Sequence, residues 1–121
     1  MTRKILIVDD SKFSRNTIKK HLSTLGYEAF CEATDGEDGL KKAKELKPSL
    51  IISDIEMPNK NGIEMIKEIK KTDTQVRFIV ITSLVNAQIM HEVARLGAPI
   101  IKKPISVDFL KNALAILEKN S

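Results

Sequence analysis

The sequence is poor in several residue types that carry specialised chemistry. It holds one cysteine, Cys31, among 121 residues. No internal disulfide can form, and a reducing, cytoplasmic setting is expected. There is no tryptophan, one tyrosine and four phenylalanines, 4% aromatics in all. So few rings argue against a cofactor box of stacked rings and against an aromatic platform for nucleic acid. No apolar run exceeds a handful of residues, far short of the ~20 that a membrane helix needs, and no signal peptide is recognisable. Twenty Lys and Arg against 16 Asp and Glu leave only +4, a modest charge for a nucleic-acid surface. The two histidines, His21 and His91, fall inside stretches of helical period and read as ordinary surface or packing residues.

What is present is an ordinary globular mix, 42% hydrophobic and 30% charged. The length suits one domain with its own core, and no Pro/Gly/Ser-rich linker or internal repeat divides it. Short β-branched runs alternate with longer stretches of helical period. Strands are predicted at Lys4–Val8, Glu28–Glu32, Leu50–Ser53, Phe78–Ile81 and Pro99–Lys102. The first, third and fourth are continuously apolar, the pattern of strands buried on both faces of a parallel sheet. Between them Ile18, Leu22 and Leu25 recur at helical spacing before Gly26, and Asp35 with Asp38 opens a second helix that Pro48 closes. Ile63, Ile66 and Ile69 mark a third, Ile89, Val93 and Leu96 a fourth ending at Gly97, and Phe109 or Leu110 with Ala113, Leu114 and Leu117 a fifth. Five βα units use the whole chain, which predicts a doubly wound α/β domain over 1–121 with no room for an output domain.

In such a sheet, ligands bind at the carboxyl ends of the strands. Asp9 and Asp10 follow the run ILIV, and Asp54 follows LIIS. Each could be a helix cap or turn residue. Together, at the ends of neighbouring strands about 4.8 Å apart, three carboxylates would repel one another, and a divalent cation would relieve that repulsion. An all-oxygen set without His or Cys favours Mg²⁺ over Zn²⁺. Lys103 follows the last strand. Successive strand residues face opposite ways, so only one of Lys102 and Lys103 points easily into the crevice, and Pro104 favours an extended backbone at Lys103. Thr82 ends the run FIVI. It could cap the next helix or offer a hydroxyl to the crevice. Acids, a cation, an ammonium and a hydroxyl together suit a phosphoryl group.

KILIVDDS, EATDGEDGL, KPSLIISDIEMPNKNG, VITS, LGA and KKPI occur in an order and spacing that resembles the response-regulator receiver domain, the CheY-like family, over the entire chain. The resemblance implies a flavodoxin-like sheet of order 2-1-3-4-5 with five helices. It implies Asp54 as phosphoacceptor from a sensor histidine kinase or phosphotransfer protein. It implies Mg²⁺ on Asp10, Asp9, Asp54 and the backbone carbonyl of Glu56, with Lys103 and Thr82 on the phosphoryl oxygens. A downstream protein would then bind the surface of helix 4, strand 5 and helix 5, with the chain a monomer or a phosphorylation-dependent dimer. No direct nucleic-acid or membrane partner is expected, nor turnover of an external substrate. Ile100 stands where many relatives carry an aromatic, so coupling to that surface must use aliphatic and backbone shifts. Asn61 replaces a usual Asp and reads as a turn or cap. Glu56 lies near the path of a water attacking the phosphoryl group.

Two other classes fit less well. A phosphohydrolase of the haloacid-dehalogenase kind needs D-x-D after strand 1, where this chain has Asp9-Asp10-Ser11. A flavin module needs a Thr/Ser/Gly-rich phosphate loop there, where this chain places two acids.

Overall fold

The computed structural model describes residues 4–119; residues 1–3 and 120–121 of the expected domain lie outside them. Five strands, β1 (Ile5–Val8), β2 (Phe30–Ala33), β3 (Leu50–Asp54), β4 (Arg77–Thr82) and β5 (Ile100–Lys102), alternate with α1 (Lys12–Thr24), α2 (Gly36–Leu46), α3 (Gly62–Thr72), α4 (Ala87–Arg95) and α5 (Val107–Lys119). The strands form one sheet of order β2-β1-β3-β4-β5, every pair parallel. This is the expected doubly wound, flavodoxin-like arrangement.

The alternation of strand side chains divides the core into two. Ile5 and Ile7 of β1, Leu50 and Ile52 of β3, and Ile79 and Ile81 of β4 pack with Ile18 and Leu22 of α1 and Leu110, Ala113 and Leu117 of α5. Leu6, Val8, Ile51, Phe78 and Val80 face the other way, against Ala43 of α2, Ile63, Ile66 and Ile69 of α3, and Val93 of α4. Helix α4 sends only Val93 fully into this core, with Ile89 partly buried against it.

The starts of α2 and α3 and the glycine stops of α1 and α4 follow the sequence signals. Ser11, Asp35, Asn61 and Asn86 cap α1 to α4, each accepting the N–H three residues on. Asn61 is thus a cap, as expected. Gly26 and Gly97 adopt the positive φ that ends α1 and α4. One strand start moves and one open alternative closes. β2 begins at Phe30 rather than Glu28, because Tyr27 first bonds back to the Leu22 carbonyl and sheet contact starts where Ile5 N–H meets the Ala29 carbonyl. Thr82 does not cap α4, since Asn86 holds that place.

Candidate functional site

The register brings the acids together. Val8 pairs with Ser53, so Asp9 and Asp54, one residue further along each strand, emerge side by side at the carboxyl edge. Both are buried, at 1% and 8% exposure, whereas Asp10 is exposed. Carboxylate oxygens of Asp9, Asp10 and Asp54 all lie within 4.8 Å of one another. The Glu56 side chain is exposed and is not one of this group.

Lys103 closes the site from β5. Its Nζ donates to Asp9 Oδ2 and to Asp54 Oδ2, both at 3.1 Å, and approaches Ser14 Oγ at 3.4 Å. Strand alternation selects it over the exposed Lys102, and the Lys103–Pro104 peptide is cis. The remaining acid oxygens are held by backbone. Asp9 Oδ1 accepts the Ser11 N–H at 2.9 Å, and Asp54 Oδ1 accepts the Ile55 N–H at 2.7 Å. Gly62 lets α3 start directly behind β3. Its N–H donates to the Ile55 carbonyl, and a Cβ there would stand 2.1 Å from the Asp54 carbonyl oxygen.

One ammonium shared by two buried acids sets the electrostatics. Burial raises the Asp54 carboxyl above its usual range, and the neighbouring Asp9 charge adds to this. The Lys103 contact and the Ile55 N–H only partly oppose it. Burial also disfavours the Lys103 cation, but its bonds to Asp54 and Asp9 outweigh that and lift it above the usual lysine range.

Thr82 stands apart. It is wholly buried, and its Oγ1 accepts the Leu84 N–H at 3.1 Å. It lies one residue beyond Ile81, the register partner of Asp54. Arg15 lies outside the sequence motifs. Its Nη1 donates to the Asp9 carbonyl at 2.7 Å, and its Nε to Glu32 Oε1 at 3.0 Å. The available signal was an arginine one turn beyond the acid pair. Its partner on β2 becomes visible only once Ile7 is paired with Glu32.

The acids fit a small, hard cation. Octahedral coordination at about 2.1 Å puts neighbouring oxygens about 3 Å apart and opposite ones about 4.2 Å apart. The observed cluster gathers its three carboxylates within 4.8 Å of one another and offers oxygen donors alone.

These features define an α/β protein with an acidic, lysine-closed pocket at the carboxyl edge of its sheet. Comparison with known proteins narrows the class. Residues 5–115 match the model of the response regulator receiver domain. The chain is 38% identical over 120 residues to the chemotaxis protein CheY of Thermotoga maritima, covering 98% of this chain and all of that protein. It is 37% identical to the CheY of Bacillus subtilis, covering 94% and 96%. Among solved structures, a chain of the CheX–CheY–BeF₃–Mg²⁺ complex from Borrelia burgdorferi superposes with a TM-score of 0.90 at 27% identity, covering 96% and 89%. The chain belongs to the response regulator receiver domain family. It is a CheY-like component of phosphorelay signalling.

Proposed function

We propose that this receiver domain is a switch in which Asp54 accepts a phosphoryl group with Mg²⁺ bound at Asp9, Asp10, Asp54 and the Glu56 carbonyl. The observation that carries this reading is the single lysine shared between two buried carboxylates, with a third acid beside them. Three acids facing one ammonium leave an excess of negative charge that a divalent cation offsets. When bound, that cation would neutralise charge on the incoming phosphoryl oxygens.

The chain's own residues do the rest. An Asp54 carboxylate oxygen forms the bond to phosphorus as the P–N bond to the donor histidine breaks, and the imidazole keeps that electron pair. Lys103, released from Asp54, pairs with the phosphoryl oxygens. Thr82 exchanges its bond with Leu84 N–H for one to the phosphoryl group, drawing the β4–α4 loop with it. Without an aromatic at position 100, the movement passes through Ile89, Leu96 and Ile100, each partly buried against the α2/α3/α4 side of the core. Helix α4 then shifts, and the surface of α4, β5 and α5 changes for a downstream protein. Met90, Phe109 and Ile116 on that surface are about half exposed. On the donor side, Phe13 is 80% exposed beside a largely apolar groove that includes Lys103, Pro104 and Ile105, which suits docking of a histidine kinase or phosphotransfer protein. No helix among the described residues is long and apolar enough to cross a membrane.

The switch is tested by amide NMR with Mg²⁺, beryllium and fluoride. Shifts are expected at Asp54, then at Thr82–Leu84, and across α4 and β5. Shifts confined to the acid pocket would contradict the switch while leaving the phosphoryl site intact.

A further inference from the structure

The network behind the acids has no part in the chemistry described so far. Arg15 is largely buried, with 12% of its side chain exposed. It makes two bonds of different kinds, to the Asp9 backbone carbonyl and to the Glu32 carboxylate on the edge strand. Glu32 is gripped from both ends. Its second carboxylate oxygen accepts from Lys19 at 3.1 Å, and its backbone carbonyl accepts from Lys42 of α2. The pull of Lys19 and Arg15 exceeds the opposing effect of burial and keeps the Glu32 carboxyl below the usual glutamate range.

We propose that Arg15, locked in place by Glu32, is a positioning residue for the divalent cation, holding the β1–α1 turn so that Asp9 and Asp10 keep their ligand geometry. This rests on the Mg²⁺ reading above. The Asp9 carbonyl lies on the peptide that leads directly into Asp10, so fixing it restricts the rotation that would carry the exposed Asp10 carboxylate away from the other two. The planar guanidinium is needed because a single side chain must reach a carbonyl and a carboxylate at once. Residues that orient metal ligands without touching the metal typically change affinity by about 10–100-fold when removed.

Charge makes the test discriminating. Removing an arginine near a cation site strengthens cation binding if the effect is electrostatic alone. Positioning predicts the opposite. Mg²⁺ alone is titrated into wild type, Arg15→Met, Glu32→Gln and the double variant by calorimetry, with folding checked by thermal unfolding in EDTA. Arg15→Met is expected to weaken Mg²⁺ binding about tenfold, at the lower end of that range, and Glu32→Gln to weaken it less. The double variant should bind no worse than Arg15→Met, because Glu32 acts through Arg15. In the metal-free protein, the Ser11 amide of Arg15→Met should exchange with solvent faster than in wild type. Unchanged or tighter Mg²⁺ binding by folded Arg15→Met and Glu32→Gln overturns the positioning role and leaves the Mg²⁺ reading standing. A wild type that does not bind Mg²⁺ overturns both.

Discussion

Replacing Lys103 by methionine probes the electrostatic centre of the site while keeping most of the side-chain volume. The lysine sits 3.1 Å from an oxygen of each of two buried carboxylates, and its own side chain is 25% exposed. At an effective dielectric near 20, each contact is worth about 5 kcal/mol of gross attraction. Much of that only offsets the desolvation of the ions. Breaking a buried pair by removing one partner costs about 3–5 kcal/mol, because the remaining charge has nowhere to go. With a quarter of the lysine in water, and with Asp54 already disposed to take up a proton, the expected loss is about 2–3 kcal/mol in EDTA. For a chain of this length that lowers Tm by about 10 °C. A divalent cation supplies the missing positive charge and no longer competes with the ammonium. Mg²⁺ should therefore bind the variant more tightly and raise its Tm more than that of wild type. The assay is thermal unfolding by circular dichroism in EDTA and at 10–100 mM Mg²⁺, roughly the range that saturates a weak cation site. A Tm in EDTA within about 2 °C of wild type, or a smaller Mg²⁺-induced rise than in wild type, would refute the reasoning.

Three further outcomes follow from the same geometry. Asp54→Asn should raise Tm by a few degrees in EDTA near pH 7. The folded-state carboxyl of Asp54 is raised, so wild type loses stability as pH rises from about 4, where the unfolded group ionises, through the folded value. The gap between variant and wild type should therefore close below about pH 4, and thermal melts across pH read this directly. Gly62→Ala forces a methyl group against the Asp54 carbonyl oxygen; a loss of about 3 kcal/mol in urea unfolding is expected, along with poor phosphoryl acceptance. Phe13→Ala removes an exposed ring, so stability and modification by acetyl phosphate should be unchanged while transfer from a histidine kinase slows about tenfold; unchanged transfer would remove Phe13 from the donor surface.

Much of this site was legible in the sequence because the central strands declare themselves. ILIV, LIIS and FIVI are continuous apolar runs only because both of their faces are covered, and the polar residue after each run marks the carboxyl edge. Alternation then separates Lys103 from Lys102. The edge strand gave no such signal. Three of the four residues of FCEA are only partly buried, so its bounds followed the Tyr27 contact instead of a hydrophobic run. Thr82 was ambiguous because a hydroxyl at a strand end serves a cap or a turn equally well, and Asn86 took the cap. The Arg15–Glu32 pair was invisible for a different reason. Seventeen residues separate its members, and what joins them is the β1–β2 register, a property of the assembled sheet.

The central claim is that Asp54, with Mg²⁺, takes the phosphoryl group. Incubation with acetyl phosphate and Mg²⁺, followed by intact-mass and peptide mass spectrometry, tests it most directly. One added phosphoryl group on the peptide carrying Asp54, absent in EDTA and absent in Asp54→Asn, is the expected result. Equal modification of wild type and Asp54→Asn, or modification that persists without the cation, would contradict it.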